Sequence, residues 1–430
     1  MMKVVIFLFL LLRSFFLSAQ NYIEITGTVI DSQTHEFLEN ASVSIRNTTL
    51  GTYTNSAGEF TIFFPDSLHR SDLTISIIGY SIGVWSINSI IKESLQSFGM
   101  EPGVTYLKEV VVQAGREDYA RLLLSEALRK LSKTFTNTQT LSEAFYREVA
   151  FRDSTYVRLI EAAVTIHDFG YTSDLSRRRV KVEELRKSED YISYGWGTKL
   201  SRFFFGNENM LLKTFAADFV RRYKSNPKLA LFDTNDFVEE YLLALEGYTK
   251  LGDDSIAIIK FNSNADNVSR PYYEGRVYIN LRNDAVVKMD YGMFGNPKGE
   301  FGNQSTVYYQ GDFFFKVSLD YKEFNGQYYL SRILMVMPVN FDVAKDGKGQ
   351  QFASYDLMIN NIYTKKKDFD RIRRRDAQRP EQDLYSQQYK YNESFWRYYN
   401  IVQLSPLLEK MVIDLEKKNT LEEQFKKNDN

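Results

Sequence analysis

The 430-residue chain contains no cysteine, which excludes a disulfide framework, thiolate metal sites and a lipid-modified N-terminal cysteine. Histidine is almost as scarce. His35, His69 and His167 are the only three, and no H-x-x-E or H-E-x-x-H spacing joins one of them to a second ligand. Each reads as a surface or structural histidine, so no metal site is expected. The sequence also lacks G-x-S-x-G, a P-loop and a dinucleotide fingerprint. No catalytic residue can be nominated and no cofactor is implied. Neither sign of charge dominates: 54 Lys and Arg face 55 Asp and Glu, a formal net of −1. That balance gives no global case for nucleic acid.

Long apolar runs are confined to one place. MMKVVIFLFLLLRSFFLSAQ sets Lys3 before an apolar stretch over residues 4–12, then Arg13, then the small residue Ala19. This pattern predicts a secretory signal peptide over residues 1–19, because the uninterrupted stretch is too short for a membrane anchor. Its cleavage leaves 52 basic and 55 acidic residues and no transmembrane helix. The expected location is the periplasm or the outer-membrane surface.

What the chain has in quantity is aromatic side chains, 29 Tyr and 32 Phe, beside only 8 Pro. Half-buried aromatic strands account for that composition. Ile23, Ile25, Gly27 and Val29 alternate with polar residues, as do Phe60, Ile62 and Phe64, and then Leu73, Ile75 and Ile77. Turn-rich segments separate these runs, and Val110 and Val112 close the set. Short strands at regular spacing predict a β-sandwich over residues 20–115. TGTVIDSQTHEFLENASVSIRNTTLGTYTNSAGEFTIFFP, then LTISIIGY, then LKEVVV, resembles the carboxypeptidase regulatory-like (transthyretin-like, Ig-like) domain. Gly27, Val29, Asp31, Thr54, Gly58, Phe60, Gly79 and Tyr80 carry the resemblance. Asn55 departs from it, since the family often has an acidic residue there. The resemblance implies a non-catalytic module of the kind that opens many secreted Bacteroidetes proteins, including TonB-dependent receptors. A receptor barrel of about 22 strands would need several hundred more residues than remain.

EDYARLLLSEALRKLSKTF follows as an amphipathic helix. LSEAFYREVAF and TYVRLIEAAVTIHDF read as a strand pair, RRRVKVEELRKSED as a polar insertion and NMLLKTFAADFVRRYK as one helix. Beyond these lies an antiparallel meander, with hairpin turns at Arg282-Asn283-Asp284 and Asn325-Gly326. The expected fold class is mostly β, or α+β. A sandwich is followed by a domain over residues 116–400, with a curved antiparallel sheet or half-barrel packed on helices. A C-terminal helix over residues 401–430 follows. Glu161, Ala162 and Ile166, G-x-V-Y-I-N at Gly275 and A-V-V-K-M at Ala285 make this second part similar to the half-barrel of periplasmic lipoprotein carriers. That resemblance implies an acyl ligand between sheet and helix.

Two stretches stand out as candidate sites. Tyr191, Tyr194, Trp196, Phe203, Phe204 and Phe205 form an aromatic patch among glycines, suited to stacking on a sugar or framing an apolar mouth. Ordinary packing of a loop over the core is the preferred account of it. Lys365, Lys366, Lys367, Arg371, Arg373, Arg374 and Arg375, with Asp368, Asp370 and Asp376 among them, could meet the phosphates of an envelope polyanion, though a solvated, mixed-charge surface is the preferred reading. The function expected is non-catalytic: an exported envelope protein binding a lipid, a glycan or a protein partner. The alternatives are a glycan hydrolase with an unrecognised carboxylate pair and a purely structural tether.

Overall fold

In the computed structural model the described residues are 22–103, 116–152, 155–171, 178–189, 209–225, 237–263, 272–294, 313–338, 351–403 and 406–427. The alternating N-terminal segments build two facing sheets. β1 (Tyr22–Asp31) lies between β4 (Glu59–Pro65), antiparallel, and β7 (Ser97–Met100), parallel. β2 (Ser42–Ile45), β3 (Gly51–Tyr53), β5 (Asp72–Ser76) and β6 (Gly83–Ser86) form the second sheet, in the order β3-β2-β5-β6. A short helix, α1 (Ile87–Glu93), joins β6 to β7. Ile25, Val29, Val43, Ile62, Leu73, Ile75 and Phe98 are buried between the layers.

The residues behind the family resemblance are structural. Asp31 accepts the N–H groups of Gln33 and Thr34 at 2.7 and 2.9 Å and the Tyr80 hydroxyl at 2.9 Å. Those backbone bonds hold its carboxyl below the usual range. Burial, with Asp31 beside it, pushes the Tyr80 hydroxyl up to about 12. Asn55 Oδ1 accepts from Ala57 and Glu59 N–H, both at 2.9 Å, while its amide donates to Glu59 at 3.0 Å. The loop therefore uses an amide where a carboxylate would repel Glu59. Gly58 has φ +71°, and a Cβ there would lie 2.5 Å from the Val29 carbonyl.

The rest of the chain forms one antiparallel ten-stranded sheet. β8 (Thr140–Arg152), β9 (Thr155–Asp168) and β10 (Arg179–Lys187) make its first part. β11 (Tyr241–Leu251), β12 (Asp254–Ser263), β13 (Tyr272–Asn280), β14 (Ala285–Phe294), β15 (Phe313–Phe324), β16 (Gln327–Pro338) and β17 (Gln351–Tyr363) make the second. β17 returns to pair with β8, so the order is β10-β9-β8-β17-β16-β15-β14-β13-β12-β11. Helix α2 (Arg116–Thr134) lays Leu124, Leu128 and Leu131 on the concave face. α3 (Met210–Ala216), α4 (Phe219–Ser225) and the single turn α5 (Phe237–Glu240) add Phe215, Phe219 and Phe237 to the same core.

Three sequence expectations need correction. The polar insertion is strand β10: Val180, Val182 and Leu185 face inward, but a bulge between Val182 and Glu184 breaks the period-two pattern that would have revealed them. The helix expected over residues 209–224 is two helices, because buried Asp218 ends the first and its carbonyl accepts the Arg222 N–H that starts the second. The C-terminal helix is also two, α7 (Pro406–Leu415) and α8 (Leu421–Lys427), after the short α6 (Glu393–Trp396). Thr420 and Glu423 form a reciprocal capping box, with bonds of 3.2 and 3.0 Å, that starts the last helix afresh. The N-terminal segment before residue 22 and Val110 and Val112 lie outside the described residues. No helix among the described residues is long and apolar enough to cross a membrane.

The outer face of the sheet is covered over one half. Tyr53 donates to Ser331 at 2.6 Å, and Arg332 reaches Asn40 at 2.6 Å while holding Asp356 through two bonds of 2.8 and 2.7 Å. Gly79 N–H donates to the Lys250 carbonyl and Gly252 N–H to the Tyr80 carbonyl, so the sandwich grips the β11–β12 turn as well. Asn400 makes both a donor and an acceptor bond to the Phe63 backbone, at 3.0 and 2.7 Å. The sandwich is thus docked on the sheet. Met411, Leu415, Leu421 and Phe425 cover Val149 and Leu159 of β8 and β9.

Candidate binding surfaces

Three places in this fold gather chemistry-bearing side chains. The first is the open half of the outer face. Strands β12 to β16 alternate, so their inward residues join the core and Lys260, Glu274, Arg276, Asp290, Lys316 and Ser318 face outward. Gly292 stands where a side chain would otherwise fill the surface, between Glu274 on β13 and Lys316 on β15. The Phe294 ring leans over it: a Cβ on Gly292 would lie 2.8 Å from that ring. These residues, with Leu334 and Val336, line a depression of about 420 Å³, within the range of small-ligand sites. Arg276 is held by Glu246 through bonds of 2.6 and 2.9 Å, and that pairing keeps the Glu246 carboxyl below its ordinary value. Asp290 accepts from Ser318 at 2.6 Å. Lys260 and Glu274 have no ion-pair partner among the described residues.

The second place is a buried ion network in the concave face. Arg221 donates to Asp168 at 2.5 Å and to the Gly170 carbonyl at 3.0 Å, and its guanidinium lies 4.5 Å from the Tyr171 ring centroid. Arg178 reaches the same Asp168 oxygen at 3.2 Å, and Tyr321 donates to Asp218 at 2.8 Å. Burial alone would raise the Asp168 carboxyl, but Arg178 and Arg221 outweigh it and hold it low. The network ties the start of α4 to the end of β9 and to β15. Its two aspartates sit in the packed core, each beside a guanidinium, which is the arrangement of a structural anchor. The outer face repeats the device. Buried Glu161 joins Arg147 and Arg186 at 2.7 and 2.6 Å, and Trp396 lies 4.3 Å over Arg186. Burial raises the Glu161 carboxyl less than Arg186 and Arg147 lower it.

The third place is the basic stretch, which runs off the end of β17 in two 3-10 turns, Lys366–Arg371 and Arg374–Asp376. Lys365, Lys366, Lys367, Arg373, Arg374 and Arg375 are exposed, and the Arg371 side chain lies outside the described residues. Buried Ile372 pins the stretch, and Arg179 donates to its carbonyl at 3.4 Å. Phe369 stacks on His167, 5.5 Å between centroids, and Phe169 stacks on the same ring at 4.4 Å. His167 is therefore buried in an aromatic stack.

The aromatic patch of Tyr191, Tyr194, Trp196, Phe203, Phe204 and Phe205 lies outside the described residues. The outward row of β12 to β15 was missed by sequence reading. Its signal was present: mixed charges at alternate positions of a strand, interrupted by a lone glycine at 292. Among the described residues no group of three or more His, Asp or Glu is placed to hold a metal ion.

The family model described as CarboxypepD_reg-like domain matches residues 25–112. The chain opens with a CarboxypepD_reg-like domain. No curated protein matches the sequence. Among solved structures, a LolA-superfamily protein of Nitrosomonas europaea is 11% identical, with a TM-score of 0.22, over 57% of this chain and 93% of that one. Lipovitellin is 9% identical, at 0.19, over 52% of this chain and 25% of its own. A Pseudomonas aeruginosa MucA/MucB complex is 10% identical, at 0.17, over 57% and 99%. At scores this low the sites have to be read from their own side chains.

Proposed function

We propose that this is an exported, non-catalytic binding protein whose ligand is a polar, glycan-type group held on the outer face of the sheet. The observation that carries this reading is the depression over Gly292. Donors and acceptors of both signs surround one aromatic ring there, on strands that cannot shift independently. A pyranose offers hydroxyls to Lys260, Glu274, Arg276 and Asp290 and an apolar ring face to Phe294. An acyl chain finds no counterpart in that surface. The described side chains of the concave face, where a lipid would lodge, pack into one continuous cluster of Phe, Tyr, Leu and Ile. Export is supported by the apolar stretch over residues 4–12 with Lys3 before it.

The test is calorimetric titration of the protein with envelope oligosaccharides, on the native chain and on Phe294→Ala and Glu274→Gln. Saccharide binding that weakens at least tenfold in both variants, with unchanged unfolding midpoints, supports the reading. An acyl lipid that co-purifies with the native protein and is removed by organic extraction would replace it with a carrier role. Turnover of the saccharide would replace it with hydrolysis.

A further inference from the structure

The basic stretch does something the groove does not. We propose that the ridge formed by Lys365, Lys366, Lys367, Arg373 and Arg374 docks the protein on an anionic lipid surface through phosphate headgroups. This inference is independent of the glycan reading. All five side chains are exposed, and none has an ion-pair partner among the described residues. Elsewhere on this surface basic residues are commonly paired: Arg46 with Asp72, Arg129 with Glu126, Arg276 with Glu246 and Arg282 with both Asp254 and Glu323. Residues 365–376 hold seven basic residues against Asp368, Asp370 and Asp376, so the ridge concentrates a net positive charge on a chain whose formal net charge is −1.

The mounting fits a surface better than a strand of nucleic acid. Ile372 is buried between the two basic clusters, and Phe369 is stacked on His167, so the ridge's apolar and aromatic side chains face the protein. What remains outward among the described side chains is mainly Lys and Arg, with Asp376 beside them, and offers no ring on which a base could stack. Lysines and arginines on two short turns at one rim of a sheet can meet a plane of phosphates together, each adding a small, screened attraction. The position has a consequence. The ridge follows Tyr363, at the end of β17 that pairs with Leu141, whereas Phe294 and Lys316 lie at the opposite ends of their strands. A protein held by the ridge keeps the outer depression away from the lipid plane.

Vesicle flotation decides the matter. The full chain is mixed with vesicles of phosphatidylcholine alone or with about one third phosphatidylglycerol, at low and at physiological salt. Variants are Lys365→Gln/Lys366→Gln/Lys367→Gln, Arg373→Gln/Arg374→Gln and, as a control, Lys92→Gln on α1. The expected result is flotation with the anionic vesicles only, weaker at higher salt. The triple variant should lose about a hundredfold in affinity, and the double variant about twenty-fold, at roughly fivefold per residue. The control should match the native chain. Equal binding to both vesicles, or unchanged binding of the ridge variants, would overturn the proposal. So would capture of soluble polyphosphate or single-stranded DNA without any vesicle binding. All substituted residues are exposed, and a thermal melt of each variant confirms that folding is intact.

Discussion

The concave face of the ten-stranded sheet and its outer face are built from the same alternating strands, yet they end in different states. Inside, Tyr146, Phe219, Phe237, Tyr241 and Phe261 join α2 to α5 in one core, and the ions that enter it are paired. Outside, β8, β9 and β17 are covered by the sandwich and the C-terminal helices, whereas β12 to β15 present charges around a glycine. The difference teaches where a ligand can be added without displacing the protein's own side chains. Burying a charge costs unless it is paired, so the concave core pairs Arg221 with Asp168 and the covered outer half pairs Glu161 with Arg147 and Arg186. On the open half Lys260 and Glu274 have no ion pair among the described residues, and water still reaches them.

The sharpest way to break this contrast is Arg221→Ala. It leaves Asp168 with Arg178 alone and Asp218 with only the Tyr321 hydroxyl, and should cost about 3 kcal/mol, read from chemical denaturation. A loss below about 1 kcal/mol would mean that the concave network is wet and the face more open than described. Acid probes the same pairs. The depressed Asp168 and Glu161 carboxyls contribute stability that is fully present above the ordinary carboxylate value near 4 and disappears as pH falls through their folded values. The unfolding midpoint should be level from pH 7 to about 5 and fall below that, with a shallower fall in Asp168→Asn. On the covered half, Trp396→Ala should cost about 3 kcal/mol by opening the layer over Arg186. Removing the hydroxyl in Tyr53→Phe leaves Ser331 without its donor and should cost about 1 kcal/mol. On the open half, Lys260→Ala should leave the melt within about 0.5 kcal/mol of native while weakening saccharide binding. A destabilisation by Lys260→Ala as large as that by Trp396→Ala would erase the distinction between the two halves.

Much of the fold was legible because period-two alternation and turn chemistry are local. Asn325 and Gly326, at φ +51° and +73°, form the hairpin turn that their pair of residues announces. Asp284, at φ +57°, closes the turn before β14. What failed to show was local pattern altered by a distant partner. The bulge in β10 shifts its inward residues by one, and buried Asp218 divides a helix whose composition favours continuity. The basic ridge could be named from its composition, but not its lack of partners, because ion pairs also form between separate strands, as Arg282 does with Asp254 and Glu323. The groove residues looked like those of any solvated strand until five strands, β12 to β16, set them side by side.

The sequence by itself determined that the chain would be β-rich, that it would open with a regulatory-like sandwich and that it would hold no thiolate chemistry. Each of these follows from residue type and short-range spacing. Tertiary structure alone decided which face of the sheet would be filled, where the sandwich would dock and which charges would stand free. Those outcomes depend on the pairing of β17 with β8 and on the C-terminal segment folding back over β8 and β9, contacts between residues far apart in the chain, which no local periodicity encodes.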